Sequence, residues 1–75
     1  MGGLRSMQSG KRYLVGDSLG YDLVDCVAVM PEYLFDDGDN EYPVYAVKVR
    51  YVETGSEDLF YEAQGYNSNL YVEER

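Results

Sequence analysis

Between Tyr45 and Val52 the side chains alternate strictly, with Tyr45, Val47, Val49 and Tyr51 interleaved with Ala46, Lys48, Arg50 and Val52. A repeat of two belongs to a β-strand with one face in a core and the other in water, and the 3.6-residue repeat of a helix cannot reproduce it. The chain must therefore supply this strand with neighbours. Residues 58–63 come next, after a loop rich in turn-formers, and predict a second strand, so a central hairpin is expected over residues 44–63.

Register decides the length of its loop, because a slip of one residue turns every side chain to the other face. A two-residue loop of Thr54 and Gly55 sets Val47 opposite Glu62 and Val49 opposite Phe60, which places a carboxylate on the apolar face. A three-residue loop of Thr54, Gly55 and Ser56 instead sets Tyr51 opposite Leu59, Val49 opposite Tyr61 and Val47 opposite Ala63. It also brings Lys48 to Glu62 and Arg50 to Phe60 on the wet face. The three-residue loop is the expected one.

The remaining segments read as short strands between turns. Residues 11–15 predict a first strand, and Gly16-Asp17-Ser18-Leu19-Gly20 ends it with a turn. Residues 21–30 predict a second strand, apolar on both faces toward its end, which is the pattern of a central strand. Residues 31–35 fit either one helical turn started by Pro31 or an extended linker. Residues 36–41 form a polar loop, residues 64–69 a turn, and residues 69–73 a last strand. Residues 1–10 hold three glycines and no apolar period, and read as a flexible N-terminal segment outside the core. The expected fold is mainly β, or small α+β: a curled antiparallel sheet of four to five strands with at most one short helix near 31–36. A single small acidic domain spans 11–75.

With 75 residues the chain has room for one modest core. Nine tyrosines and two phenylalanines supply much of its apolar area. The single cysteine, Cys26, has no partner for an internal disulfide, and no apolar run reaches the length of a membrane span or a signal peptide. A cytoplasmic, intracellular protein is expected, as a monomer or small homo-oligomer. The one targeting motif is Met1-Gly2-Gly3-Leu4-Arg5-Ser6, which fits N-myristoylation at Gly2, so membrane contact is expected only if Gly2 is acylated.

Net charge is −8, and three of the six basic residues, Arg5, Lys11 and Arg12, precede every one of the fourteen acidic ones. From Tyr13 onward only Lys48, Arg50 and Arg75 oppose the carboxylates. Such a field repels nucleic acid and attracts basic protein surfaces. Direct nucleic-acid binding is therefore not expected.

Catalytic chemistry has little to stand on. The absence of histidine removes the commonest general base and the commonest metal ligand. Cys26 lies in an apolar alternation beside Asp25, an environment that raises a thiol pKa, and reads as a small core residue. The run Asp36-Asp37-Gly38-Asp39-Asn40-Glu41 has calcium-loop residue types in the wrong order, without glycine at the sixth position or glutamate at the twelfth. No catalytic residue, metal or cofactor is assigned, and the chain reads as a non-enzyme.

What remains is acidity interleaved with tyrosine. On an extended segment, residues two apart lie roughly 6.6 Å apart on one face. Asp37, Asp39 and Glu41 have that spacing and could imitate successive backbone phosphates. Asp36, Glu57, Asp58 and Glu62, with Asp22 and Glu53, extend the set, and Tyr33, Tyr42 and Tyr66 add amphipathic contacts of the kind enriched in interfaces. In this general character the chain resembles the small acidic inhibitors that phages direct against restriction, CRISPR or repair enzymes. That resemblance implies a protein-binding module that occludes a partner's nucleic-acid site by charge mimicry. The alternative is an accessory or structural subunit of a larger assembly, bound through a sheet edge or tyrosine patch, with acidity serving only solubility.

Overall fold

The computed structural model describes residues 3–67 and 70–75. The fold is mainly β: one curled, open antiparallel sheet with a single turn of 3-10 helix at Leu4–Ser6. Six strands form it, namely β1 (Arg12–Asp17), β2 (Gly20–Val29), β3 (Tyr33–Asp36), β4 (Glu41–Tyr51), β5 (Glu57–Glu62) and β6 (Tyr71–Glu74). The order across the sheet is β3-β4-β2-β1-β6, with β5 also paired to β4. Of the segments anticipated above, Gly2 and Asn69 lie outside the described residues.

The alternating segment is the backbone of the architecture. β4 is long enough to serve three partners: its residues 41–44 carry β3, 45–50 carry β5 and 47–51 carry β2. Pro43 lacks an N–H to donate, and it sits where β5 has not yet begun, so the ladder on that edge loses nothing. β2 is central, between β1 and β4. Cys26 opposes Val49 while Ala28 opposes Lys48, so Val27 is an extra, bulged residue. The bulge exchanges the faces of β2, which accounts for its apolar run on both sides.

The core lies on the concave face, where Tyr13, Val15, Val24, Cys26, Val47, Val49 and Val72 meet. Two further members are Leu4, wholly buried, and Met7. This overturns the expectation that residues 1–10 stand outside the core. A curled sheet of this size has an open concave side, and Leu4 and Met7 cover part of it. Hydrogen bonds fix that segment to the bulge: Gly10 N–H donates to the Cys26 carbonyl at 2.9 Å, and the Ser9 hydroxyl donates to the Val27 carbonyl at 2.9 Å. Gln8 N–H donates to the Tyr13 hydroxyl at 2.7 Å. β1 pairs with β2 only as far as Arg12 and Asp25, and the segment supplies donors to the Cys26 and Val27 carbonyls just beyond.

The central hairpin forms, in a register different from the expected one. Val47 faces Phe60, Val49 faces Asp58, Arg50 faces Glu57 and Lys48 faces Leu59, so the loop holds four residues, 52–55. Gly55 N–H donates to the Tyr51 carbonyl and Tyr51 N–H to the Ser56 carbonyl, both at 2.8 Å. Gly55 has φ +79°, and a four-residue loop puts this left-handed residue at its last position, where glycine closes the turn without strain. Carboxylates thus do share the core face, but at its rim and with partners. Glu62 accepts from Arg5 at 3.0 Å, and Asp58 accepts from the Tyr51 hydroxyl at 3.1 Å.

Residues 33–36 form a strand, which removes the helical alternative for 31–35. Pro31 interrupts the run after β2, and β3 then pairs with the first residues of β4. All four β3 residues are exposed. β3 and residues 41–44 make a two-stranded arm, and the molecule is elongated, 39 × 24 × 20 Å. Phe35 packs against Tyr42 across the arm, the rings tilted with centroids 5.6 Å apart. An isolated ribbon needs such a cross-strand pair to hold its register.

Candidate functional site

Side-chain pairing determines where the net charge acts. Every basic residue is engaged: Arg5 with Glu32 and Glu62, Lys11 with Glu74, Arg12 with Asp25, Lys48 and Arg50 with Glu57, and Arg75 with Glu73. On the convex face Arg12, Asp25, Arg50 and Glu57 are successive cross-strand neighbours, a row of alternating sign over four strands. The Arg12 guanidinium holds the Asp25 carboxyl below the usual range, and Arg50 with Lys48 does the same to Glu57. The anticipated contacts of Lys48 with Glu62 and of Arg50 with Phe60 are replaced by this row.

Among the described residues, eight carboxylates have no Lys or Arg at ion-pair distance: Asp17, Asp22, Asp36, Asp37, Asp39, Glu41, Glu53 and Asp58. They fall mainly in two places, so the excess charge is segregated rather than spread.

The first place is the tip of the arm. Asp36 and Glu41 face each other as its last pair, and residues 37–40 turn between them. Asp36 accepts from Gly38 N–H at 2.8 Å, while Asp37 accepts from Asn40 N–H at 2.8 Å and Asp39 N–H at 3.0 Å. These backbone donors hold the Asp37 carboxyl below its usual range, Asn40 first. Gly38 takes φ +101°. The four acids of this run are thus gathered on a tight turn, and the extended ladder anticipated for Asp37, Asp39 and Glu41 is not formed. Side-chain capping of the turn outweighs extension because Asp and Asn bond readily to backbone two or three residues on. Just behind the tip stand Tyr33 at 47% exposure, Leu34 at 62% and Phe35 at 46%, with Tyr42 half-buried.

The second place is a cleft of about 320 Å³ at one end of the concave face. Val15, Tyr51, Phe60, Tyr66 and Leu70 line it, and Asp17, Asp22 and Asp58 stand at it. Tyr51 meets Phe60 edge-on, with ring centroids 6.2 Å apart. Partial burial, reinforced by the hydrogen bond to Asp58, pushes the Tyr51 phenol up, so it stays protonated. The cleft exists because the sheet does not close.

Of the residues singled out from sequence, Tyr33, Asp36, Asp37, Asp39, Glu41 and Tyr42 come together on the arm. Glu57, Asp58 and Glu62 do not join them. Glu57 lies on the convex face in the charge row, Glu62 is bound by Arg5, and Asp58 belongs to the cleft. Sequence reasoning missed Leu34 and Phe35, hidden by the uncertain assignment of 31–35. It also missed Asp17, which read as a turn residue. Among the described residues no group of three or more acidic or thiol side chains is arranged to hold a metal, and no helix is long and apolar enough to cross a membrane. No protein-family model, curated protein or solved structure matches the chain.

Proposed function

We propose that this protein is a non-catalytic binding module that docks its acidic arm onto the basic surface of a partner protein and there competes with nucleic acid. The observation carrying this reading is the charge segregation. All six lysines and arginines are engaged elsewhere, while four carboxylates without an ion-pair partner among the described residues occupy a projecting turn. Exposed Tyr33, Leu34 and Phe35 immediately behind that turn supply the apolar contact that charge alone lacks. Electrostatic attraction brings the partner in and orients it, and aromatic burial lengthens the contact. A turn of about four carboxylates presents concentrated negative charge to a groove built for phosphates, although not with the regular spacing of a nucleic-acid strand.

The test is an affinity pull-down from native lysate, eluted in a salt gradient, with a parallel arm variant carrying Asp36→Asn, Asp37→Asn, Asp39→Asn and Glu41→Gln. The expected partner is a nucleic-acid-binding protein that is held at low salt, released by added duplex DNA or RNA and lost from the variant. A partner indifferent to salt, nucleic acid and the four substitutions would overturn occlusion by charge. A second reading, an accessory subunit bound through a sheet edge, is favoured by the unpaired outer edge of β3 and predicts that indifferent result.

A further inference from the structure

We infer that the concave cleft is a receptor for one arginine side chain presented by an extended segment of a partner polypeptide. The inference goes beyond the arm, which it does not require. Three features of the cleft define the occupant. Val15, Phe60 and Leu70 contribute apolar surface to its lining, and burial of such surface suits an occupant with a hydrocarbon stem. Asp17, Asp22 and Asp58 add three carboxylates to that lining, with no lysine or arginine at ion-pair distance among the described residues. The occupant must therefore end in a positive charge.

The third feature selects arginine over lysine. Tyr51 and Phe60 present aromatic rings to the cleft, and Tyr66 adds a third. A planar guanidinium stacks on such rings and meets carboxylates through several donors at once, whereas a lysine ammonium is a compact, strongly hydrated point charge. The polar groups are not all free. Asp58 already accepts from the Tyr51 hydroxyl and from Leu59 N–H, and Asp17 accepts from Leu19 N–H at 2.8 Å. Each of those acids keeps lone pairs for a further donor, because a carboxylate has about four acceptor positions. Asp22 makes no hydrogen bond with another side chain or with backbone through its carboxylate among the described residues.

The experiment is an amide-resolved NMR titration with the capped peptide Gly-Gly-Arg-Gly-Gly, alongside peptides with citrulline or lysine at the centre. Saturable shifts are expected at Asp17, Tyr51, Asp58 and Leu70 for the arginine peptide, with none for citrulline and roughly tenfold weaker binding for lysine. The variant Asp17→Asn with Asp58→Asn should weaken arginine binding roughly tenfold or more. Asp22→Asn alone, at an exposed position, should weaken it in part and serves if the double variant is misfolded. The arm variant should bind as the unaltered protein does, which separates failure here from failure of the arm. Shifts centred on the arm tip, shifts spread over the surface without saturation, equal binding of lysine or citrulline, or binding unchanged in the cleft variants would each overturn the assignment.

Discussion

Gly16 shows how much a single missing atom can decide. It pairs with Tyr21 on one side and Tyr71 on the other, and those two rings meet edge-on with centroids 5.7 Å apart. A Cβ added to Gly16 would collide with the Tyr21 ring and stand 2.6 Å from the Gly20 carbonyl. Gly16→Ala is therefore expected to cost about 1–3 kcal/mol by overpacking, read as a lowered midpoint in thermal or urea unfolding. In a Tyr21→Ala background the loss should shrink without vanishing, because the backbone contact remains. Asp25 carries a second prediction at this scale. Its folded-state pKa is depressed, chiefly by the Arg12 hydrogen bond, so its stabilisation is complete above the ordinary aspartate value of about 3.9 and is lost as pH falls through the lower folded value. The melting-temperature gap between the parent protein and Asp25→Asn should be widest near neutral pH and close in strong acid. A gap of the same size at neutral pH and in strong acid would show that the row owes nothing to Asp25 charge.

Elements differ sharply in how they are held. Leu4 is wholly buried although it belongs to a single turn of 3-10 helix, so Leu4→Ala should leave a cavity and cost about 2–5 kcal/mol. For a chain this small that is a large share of the total, and equilibrium unfolding of the variant measures it directly. Arg5 beside it lies 4.7 Å from the Tyr45 ring centroid and joins Glu32, just before β3, to Glu62, at the end of β5. It thus ties the base of the arm to the body. The arm itself is exposed and two-stranded, so its amides should exchange with deuterium faster than those of β2 and the second half of β4. Arg5→Gln should speed the arm further while leaving β1 and β2 amides little changed. Equal protection in arm and core would contradict the view that the arm is a separate, weakly held element.

At the scale of the molecule the decisive quantity is charge without counter-charge. Exposed ion pairs contribute little to stability, and salt weakens them, but salt also screens repulsion within the acidic tip and around the cleft. With eight carboxylates uncompensated, relief of repulsion should dominate, and the melting temperature should rise modestly between low salt and about one Debye length of 3 Å, reached near 1 M. Binding to a basic partner should respond in the opposite sense. A protein that gains stability and loses its partner as salt rises is the signature expected of segregated surface charge.

The strand period that begins at Tyr45, a turn after the first strand and the central place of β2 were legible in the sequence because they depend on neighbours along the chain, although β1 runs on through Gly16 and Asp17 so that only Ser18 and Leu19 turn, and the hairpin loop falls at 52–55 rather than at 54–56. The acidic run was legible too, and so was its company of tyrosines. Tertiary structure alone decided the rest. It placed Leu4 and Met7 in the core, since their value lies in an open concave face built from distant strands. It chose the hairpin register, because Arg5 and the Tyr51 hydroxyl make carboxylates acceptable at the core rim. It turned residues 33–36 into a strand, because residues 41–44 of β4 lie next along the chain with an edge left open beyond β2. And it split the acids of the chain between an ion-paired convex face, a projecting turn and an open cleft, since charge is conserved along a sequence but compensated only in space.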